Sequence, residues 1–309
     1  MEQLEAYSVE RTIFVPVVGL NLLVDKLELG AVTFRVFDDM DRSTVFTKLD
    51  EFSLNRPGDE NIRKANLSLK DRIEGELVGN VCAEYRVIAE PDRAWERAKE
   101  EIRRSTELIN FACISMVPPE SPQADSTIGM AGETPRLGPW ILGVADKEVN
   151  THHTVMPNSM PVTIGETSLI GFDQIGVTKL SEFLARAGGK TSEWEEALLR
   201  SVHWVAYARA QTERENQLLN LFTALEVLFT DRTANGITAL LSESVALLIE
   251  TDYTQRMELK SFISKMYGAR SGISHGGNKT VTESEVRRFR RIIALTNSFL
   301  VLRLDTRPK

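Results

Sequence analysis

Tyr267-Gly268-Ala269-Arg270-Ser271-Gly272-Ile273-Ser274-His275-Gly276-Gly277 sets an arginine five residues before a histidine and closes on two glycines. On a helix, positions four apart sit closest, and the fifth is rotated by roughly 140° from the first. Arg270 and His275 therefore meet on one phosphate-sized target only if the helix loosens around Gly272 or ends before the histidine. Gly272, Gly276 and Gly277 permit either outcome, because glycine accepts the backbone conformations that close a helix. The residue types suit such a target. An arginine fork offers phosphate a permanent charge. A histidine titrates near neutrality and can move a proton.

The chain around this stretch reads as helices. Ser192-Glu193-Trp194-Glu195 is a capping box and opens a helix to about Ala210. A second runs from about Glu213 to Phe229, with Leu218, Leu221, Phe222, Leu225 and Phe229 as its apolar stripe. Residues 236–249 predict a third. Thr251 or Asp252 starts a fourth, which carries Met257, Phe262 and Met266 towards Arg270. Thr282-Glu283-Ser284-Glu285 is another capping box and starts a last helix to about Leu304, with Val286, Phe289, Ile293 and Leu300 on its core face. Residues 191–309 are therefore expected to form an all-α bundle.

Residues 1–190 read instead as an α+β domain, with the boundary near Gly188-Gly189. Thr12–Val18 and Ala31–Phe37 are rich in β-branched and aromatic residues, and Gly30 is the expected turn before the latter. Pro16 belongs at an edge or a strand end. Residues 38–80 are charged and weakly periodic and read as short strands and loops. Val81–Ala89 is a clearer strand. Pro91 opens a helix to about residue 111, with Trp95, Ala98, Ile102 and Ile109 at helical spacing. Residues 117–139 hold five prolines and three glycines and read as a long, mobile loop. Short strands are expected near 140–145 and 161–172, and a short helix from about Val177. His152-His153 reads as loop surface, since no acidic or cysteine set lies at metal-ligand spacing around it.

Composition bounds the function. At 309 residues, two domains are the better expectation. With 42% hydrophobic and 26% charged residues, the chain is of ordinary globular composition. No stretch approaches the ~20 apolar residues that span a bilayer, and Met1–Glu5 lacks a secretory pattern. Cys82 and Cys113 are the only cysteines, which excludes a disulfide framework. These features point to a cytoplasmic protein without membrane partners. The net charge of −7 argues against constitutive nucleic-acid binding. The charge is uneven, however: residues 200–309 carry 16 Lys and Arg against 11 Asp and Glu, while residues 1–199 carry 21 against 33. Two surfaces with different partners follow. Residues 1–190 show no phosphate-binding glycine loop, nucleophile elbow or paired-histidine metal motif.

Leu225-Glu226-Val227-Leu228 on one helix, Tyr267, Arg270-Ser271 and His275-Gly276 on another, and a long last helix together resemble a HEPN domain, more narrowly the ApeA-like HEPN group. The resemblance covers roughly residues 195–305. Its signature is an arginine, four variable residues and a histidine, here Arg270 to His275. The resemblance implies a metal-independent endoribonuclease, without a cofactor, of a defence or toxin–antitoxin system. It implies RNA as substrate, a homodimer with two motifs facing each other, and control by an antitoxin or regulatory protein. The part outside the HEPN segment would be a sensor or docking module. The tyrosine that follows the histidine in HEPN toxins modified by nucleotidyltransferases is missing here, which argues against that form of control.

On this resemblance His275 would take the proton from a ribose 2′-hydroxyl, and Arg270 would hold the scissile phosphate. The alternative for His275 is a helix-end histidine capping carbonyls. Glu226 lies about 80° from the centre of its helix's apolar stripe. A carboxylate at that border needs a partner, and Arg270 is the candidate, so that Glu226 orients it. Ser271, Ser274 and Asn278 could touch phosphate, or cap and close local turns. Arg287, Arg288, Arg290 and Arg291 could hold an RNA backbone, or form a solvated face flanking Phe289. The competing function is a non-catalytic HEPN scaffold that binds a nucleotide or a partner protein.

Overall fold

The structure, a computed structural model, describes residues 9–54, 60–130, 137–145, 148–155, 161–186, 191–229, 236–274 and 281–304. An N-terminal sheet is followed by helices. The sheet has five antiparallel strands in the order β3-β4-β5-β1-β6: β1 (Val9–Val18), β3 (Lys26–Leu29), β4 (Val32–Val36), β5 (Val81–Ala89) and β6 (Gly129–Met130). Alternation decides its faces. Leu27, Leu29, Val32 and Phe34 are buried, while Lys26, Glu28 and Arg35 turn outward. Gly30 makes the β3–β4 turn with φ +61°, as its position in the sequence predicts. β2 (Leu20–Leu22) leaves the main sheet to pair in parallel with β9 (Val162–Ile164).

Residues 38–80 differ from their expected strands and loops. They form two helices, α1 (Asp39–Leu54) and α2 (Glu60–Glu76). These helices pack on each other and on a small cluster of Phe37, Ile73 and Cys82. α1 has almost no apolar period, and α2 is strongly polar, with Ile73 its one buried residue among those described. Burial pushes the Cys82 thiol up to about 12, so it packs as a small apolar group.

The pivot of the molecule is α3 (Pro91–Met116). It reaches five residues beyond its expected end. Ala94, Ala98, Ile102 and Ser105 bury one face, and Ser105 Oγ donates to the Leu29 carbonyl at 2.9 Å. From Leu108 to Ser115 every residue is buried, because the sheet covers one side and helices the other. Trp95 is the exception to the expected stripe: it is 44% exposed and carries the Lys99 ammonium over its ring.

The segment after α3 is less open than its proline content suggests. A 3-10 turn (Pro122–Asp125) leads to β6. Asn110 holds β6 by both amide groups, donating to the Ile128 carbonyl at 2.8 Å and accepting from the Ile128 amide at 3.0 Å. Gly19 faces this strand with φ +80°, where a Cβ would lie 2.3 Å from the Thr127 carbonyl oxygen. β7 (Leu137–Ala145) and β8 (Glu148–Val155) form an antiparallel hairpin. His152 and His153 are strand residues opposite Ile141 and Trp140 rather than loop. Of 161–172, only 162–164 is strand. α4 (Glu166–Gln174) and α5 (Val177–Ala185) follow.

The remaining helices are α6 (Glu193–Ala210), α7 (Arg214–Phe229), α8 (Ile237–Ile249), α9 (Tyr253–Ser274) and α10 (Glu283–Arg303). Both capping boxes form as the sequence predicts, on Ser192 with Glu195 and on Thr282 with Glu285. Leu218, Leu221, Phe222 and Leu225 are fully buried on α7, and Val286, Phe289 and Ile293 on α10. Met257 of α9 is instead 44% exposed. One apolar core runs from Val15 and Phe34 of the sheet through Ile109 to Phe222 and Val301. The helices α6 and α10 pack directly on α3, so this core passes either side of residues 187–190. No described helix is long and apolar enough to cross a membrane.

Candidate functional site

α9 carries Arg270 in its last turns and stays helical through Gly272 to Ser274. The helix does not loosen at Gly272. His275 and Asn278 lie outside the described residues, as does the Ser274 side chain. Ser271 follows Arg270 on the helix and is half-buried.

Arg270 is built into the edge of the bundle by two neighbours. Glu226 of α7 sets its carboxylate oxygen Oε1 3.3 Å from an Arg270 terminal nitrogen. Tyr267, three residues back on the same face of α9, lies under the guanidinium, 5.5 Å from ring centroid to carbon. Tyr267 in turn meets Phe222 edge-on at 5.2 Å, and Phe222 packs on Phe289 at 4.7 Å. The arginine is thus tied to the aromatic core while 30% of its side chain stays exposed. Its Nε–H is buried and has no hydrogen-bond partner among the described residues. A buried donor without a partner costs about 1–3 kcal/mol, and an anionic acceptor would relieve that cost. Glu226 borders the core as its place on the stripe predicts, beside fully buried Leu225.

The basic run on α10 divides. Arg288 is exposed and stacks over Phe262 at 4.4 Å. Arg287 is held by Asp125 of the 3-10 turn and by Glu283. Arg290, only 3% exposed, pairs with the other Asp125 oxygen at 2.7 Å. Arg209 of α6 completes the group. It donates to the carbonyls of Asn110 at 3.0 Å and Gln123 at 3.2 Å. Burial pulls its guanidinium down to about 10, against the thiol of Cys113 and with the charge of Arg290. Arg287 and Arg290 therefore fasten the segment before β6 to the bundle.

A second polar cluster has no counterpart in the sequence reading. His203 of α6 sets Nδ1 2.7 Å from Oε1 of Glu107 on α3, and Arg103 donates to the same oxygen at 2.5 Å. The two halves of this contact are 96 residues apart, so no local spacing announces it. The only local signal is the aromatic cluster around it, Trp204 and Tyr207. Tyr207 stacks on the imidazole at 5.9 Å. Among the described residues, no group of three or more His, Cys, Asp or Glu gathers as a metal site.

No family model, no curated protein and no solved structure matches this chain.

Proposed function

We propose that the C-terminal helices form a HEPN domain and that the protein is a metal-independent endoribonuclease. The observation that carries this reading is Arg270. It is oriented by Glu226 and Tyr267, yet among the described residues its buried Nε–H has no partner. A non-bridging phosphate oxygen is the acceptor that this donor suits. His275, five residues after Arg270 in the sequence, is the base that this reading assigns.

In this chemistry the His275 imidazole takes the proton from a ribose 2′-hydroxyl. The 2′-oxygen then bonds to the adjacent phosphorus as the bond from phosphorus to the 5′-oxygen breaks. The leaving oxygen needs a proton of its own. One Arg-His pair cannot easily supply both base and acid, so a second copy across a two-fold axis gives the missing acid. The products are a 2′,3′-cyclic phosphate and a 5′-hydroxyl. Arg288, exposed near the start of α10, is available to the RNA backbone. Arg287 shares its charge with two carboxylates and contributes less. Cytoplasmic defence or toxin action, with control by a partner protein, fits this activity.

The test is incubation of purified protein with mixed RNA in excess chelator, with end-group analysis of the products. Cleavage to cyclic phosphate ends that falls by about 10²-fold or more in His275→Ala supports the reading. RNA left intact at every protein concentration, including with candidate activators, supports the non-catalytic scaffold instead.

A further inference from the structure

The cleft between α3 and α6 is a different kind of site. It encloses about 430 Å³, within the range of about 300–1,000 Å³ found for small-ligand pockets. Its floor is apolar, made by Leu108, Leu184, Leu199 and Val202, and its rim is charged.

The rim charges are unequally committed. Arg103 is spent: it grips Glu100 with two nitrogens at 2.8–3.3 Å and Glu107 with a third at 2.5 Å. Glu107 is spent in turn on Arg103 and His203, and Glu196 accepts from Thr191 Oγ1 at 3.1 Å. Arg104 reaches only Glu101, at 3.6 Å. Arg200 is exposed and has no carboxylate partner among the described residues. Arg200 is therefore the rim guanidinium open to an anion, and Arg104 keeps N–H donors beyond its one long contact with Glu101.

His203 stands beside them, one helical turn from Arg200. Its Nδ1 lies 2.7 Å from Glu107 Oε1 and 2.9 Å from an Arg103 terminal nitrogen, which leaves Nε2 as the remaining polar atom. The stack on Tyr207 and the edge contact with Trp204 at 5.2 Å hold the ring plane. Nε2 has no hydrogen-bond partner among the described residues. A ring nitrogen there can meet a phosphate oxygen as a donor or a phosphate O–H as an acceptor, according to the tautomer.

We propose that this cleft binds a small organic phosphate of mononucleotide size. Arg104, Arg200 and His203 hold the phosphoryl group, and the leucine floor takes the ring of the ligand. Inorganic phosphate alone leaves the floor empty, and a neutral nucleoside leaves the arginines unused. The proposal does not rest on RNA cleavage, because binding alone reads it out.

The test is isothermal titration of the full chain with each of the four ribonucleoside 5′-monophosphates, with adenosine, and with inorganic phosphate. At least one monophosphate is expected to bind one-to-one with Kd below about 1 mM. Adenosine and inorganic phosphate are expected to bind at least about tenfold more weakly, a difference of about 1.4 kcal/mol or more. Arg200→Glu, on an exposed side chain, should weaken the monophosphate at least about tenfold with the melting curve unchanged. His203→Gln should weaken it too, while His275→Ala leaves it intact. Four silent monophosphates would overturn the proposal. So would adenosine binding as tightly as its monophosphate, or an affinity that Arg200→Glu does not alter.

Discussion

Arg270 shows how much of one residue's role lies in what it leaves unbonded. Its charge is matched by Glu226 and its face by Tyr267, but among the described residues nothing matches its Nε–H. Lysine at 270 would keep the charge and lose the fork. Arg270→Lys is expected to lower RNA cleavage by about 10²-fold, as loss of one transition-state donor does. Glu226→Gln should cost less, because it loosens the arginine without removing it. Both should melt like the parent, and single-turnover cleavage beside a melting curve checks this. Asp125 is the opposite case, a residue whose bonds matter for folding. Asp125→Ala leaves Arg290 charged, 3% exposed and without that carboxylate. Breaking a buried pair costs about 3–5 kcal/mol, so the midpoint of urea unfolding should fall by that amount divided by the m-value.

At the scale of elements, the capped helices are the legible part. Ser192 with Glu195 and Thr282 with Glu285 announce two helix starts from four residues each, and the stripes of α7 and α10 announce their buried faces. These signals are local, so one sequence carries them. α1 carries almost no apolar period and α2 is strongly polar, so residues 38–80 read as short strands and loops. For α3 the sequence shows one apolar stripe, and its first half does keep most of its other residues exposed. Its second half is buried all round by partners distant in sequence. At the candidate site, the Glu226–Arg270 pair is legible, since each residue sits at a telling place on its own helix. The Asp125–Arg290 pair spans 165 residues and leaves no local trace. The start of α10 also carries a pH dependence. Its Lys265 partner, with the Thr282 amide and hydroxyl, holds Glu285 down at about 2 against an ordinary 4.5. A carboxylate lowered on folding stabilises the fold above its unfolded value and loses that effect as pH falls towards the folded one. Stability should therefore drop between pH 4.5 and about 2, and Glu285→Gln should flatten that part of the curve. Thr282→Ala should cost about 1 kcal/mol near neutral pH. Urea titrations across the pH range measure both.

At the scale of the molecule, α3 makes the sheet and the bundle share an interior. Heat should then unfold the full chain in one transition, with far-ultraviolet dichroism and tryptophan fluorescence coinciding. Residues 191–309 expressed alone would uncover the faces of α6 and α10 that pack on α3. That fragment is expected to bind a hydrophobic dye and to melt broadly. A sharp melt with native-like fluorescence would show instead that the bundle is self-sufficient. The same arrangement gives the two candidate sites different footings. The Arg270 site is made by helices of the bundle alone. The cleft beside His203 exists only where α3 and α6 meet, so it reports on how the two parts of the chain are joined.

Asp125 also bears on how kin of this chain would be recognised. Its carboxylate serves Arg287 and Arg290 together, so the acid has no reason to persist once the buried arginine is gone. Descendants that drift beyond local resemblance should lose or keep positions 125 and 290 as a unit. Glycine at 19 should persist wherever the strand that Asn110 clamps is retained. Lineage would then be written in distant positions that change in step, a signature for pairwise covariation rather than for any contiguous motif.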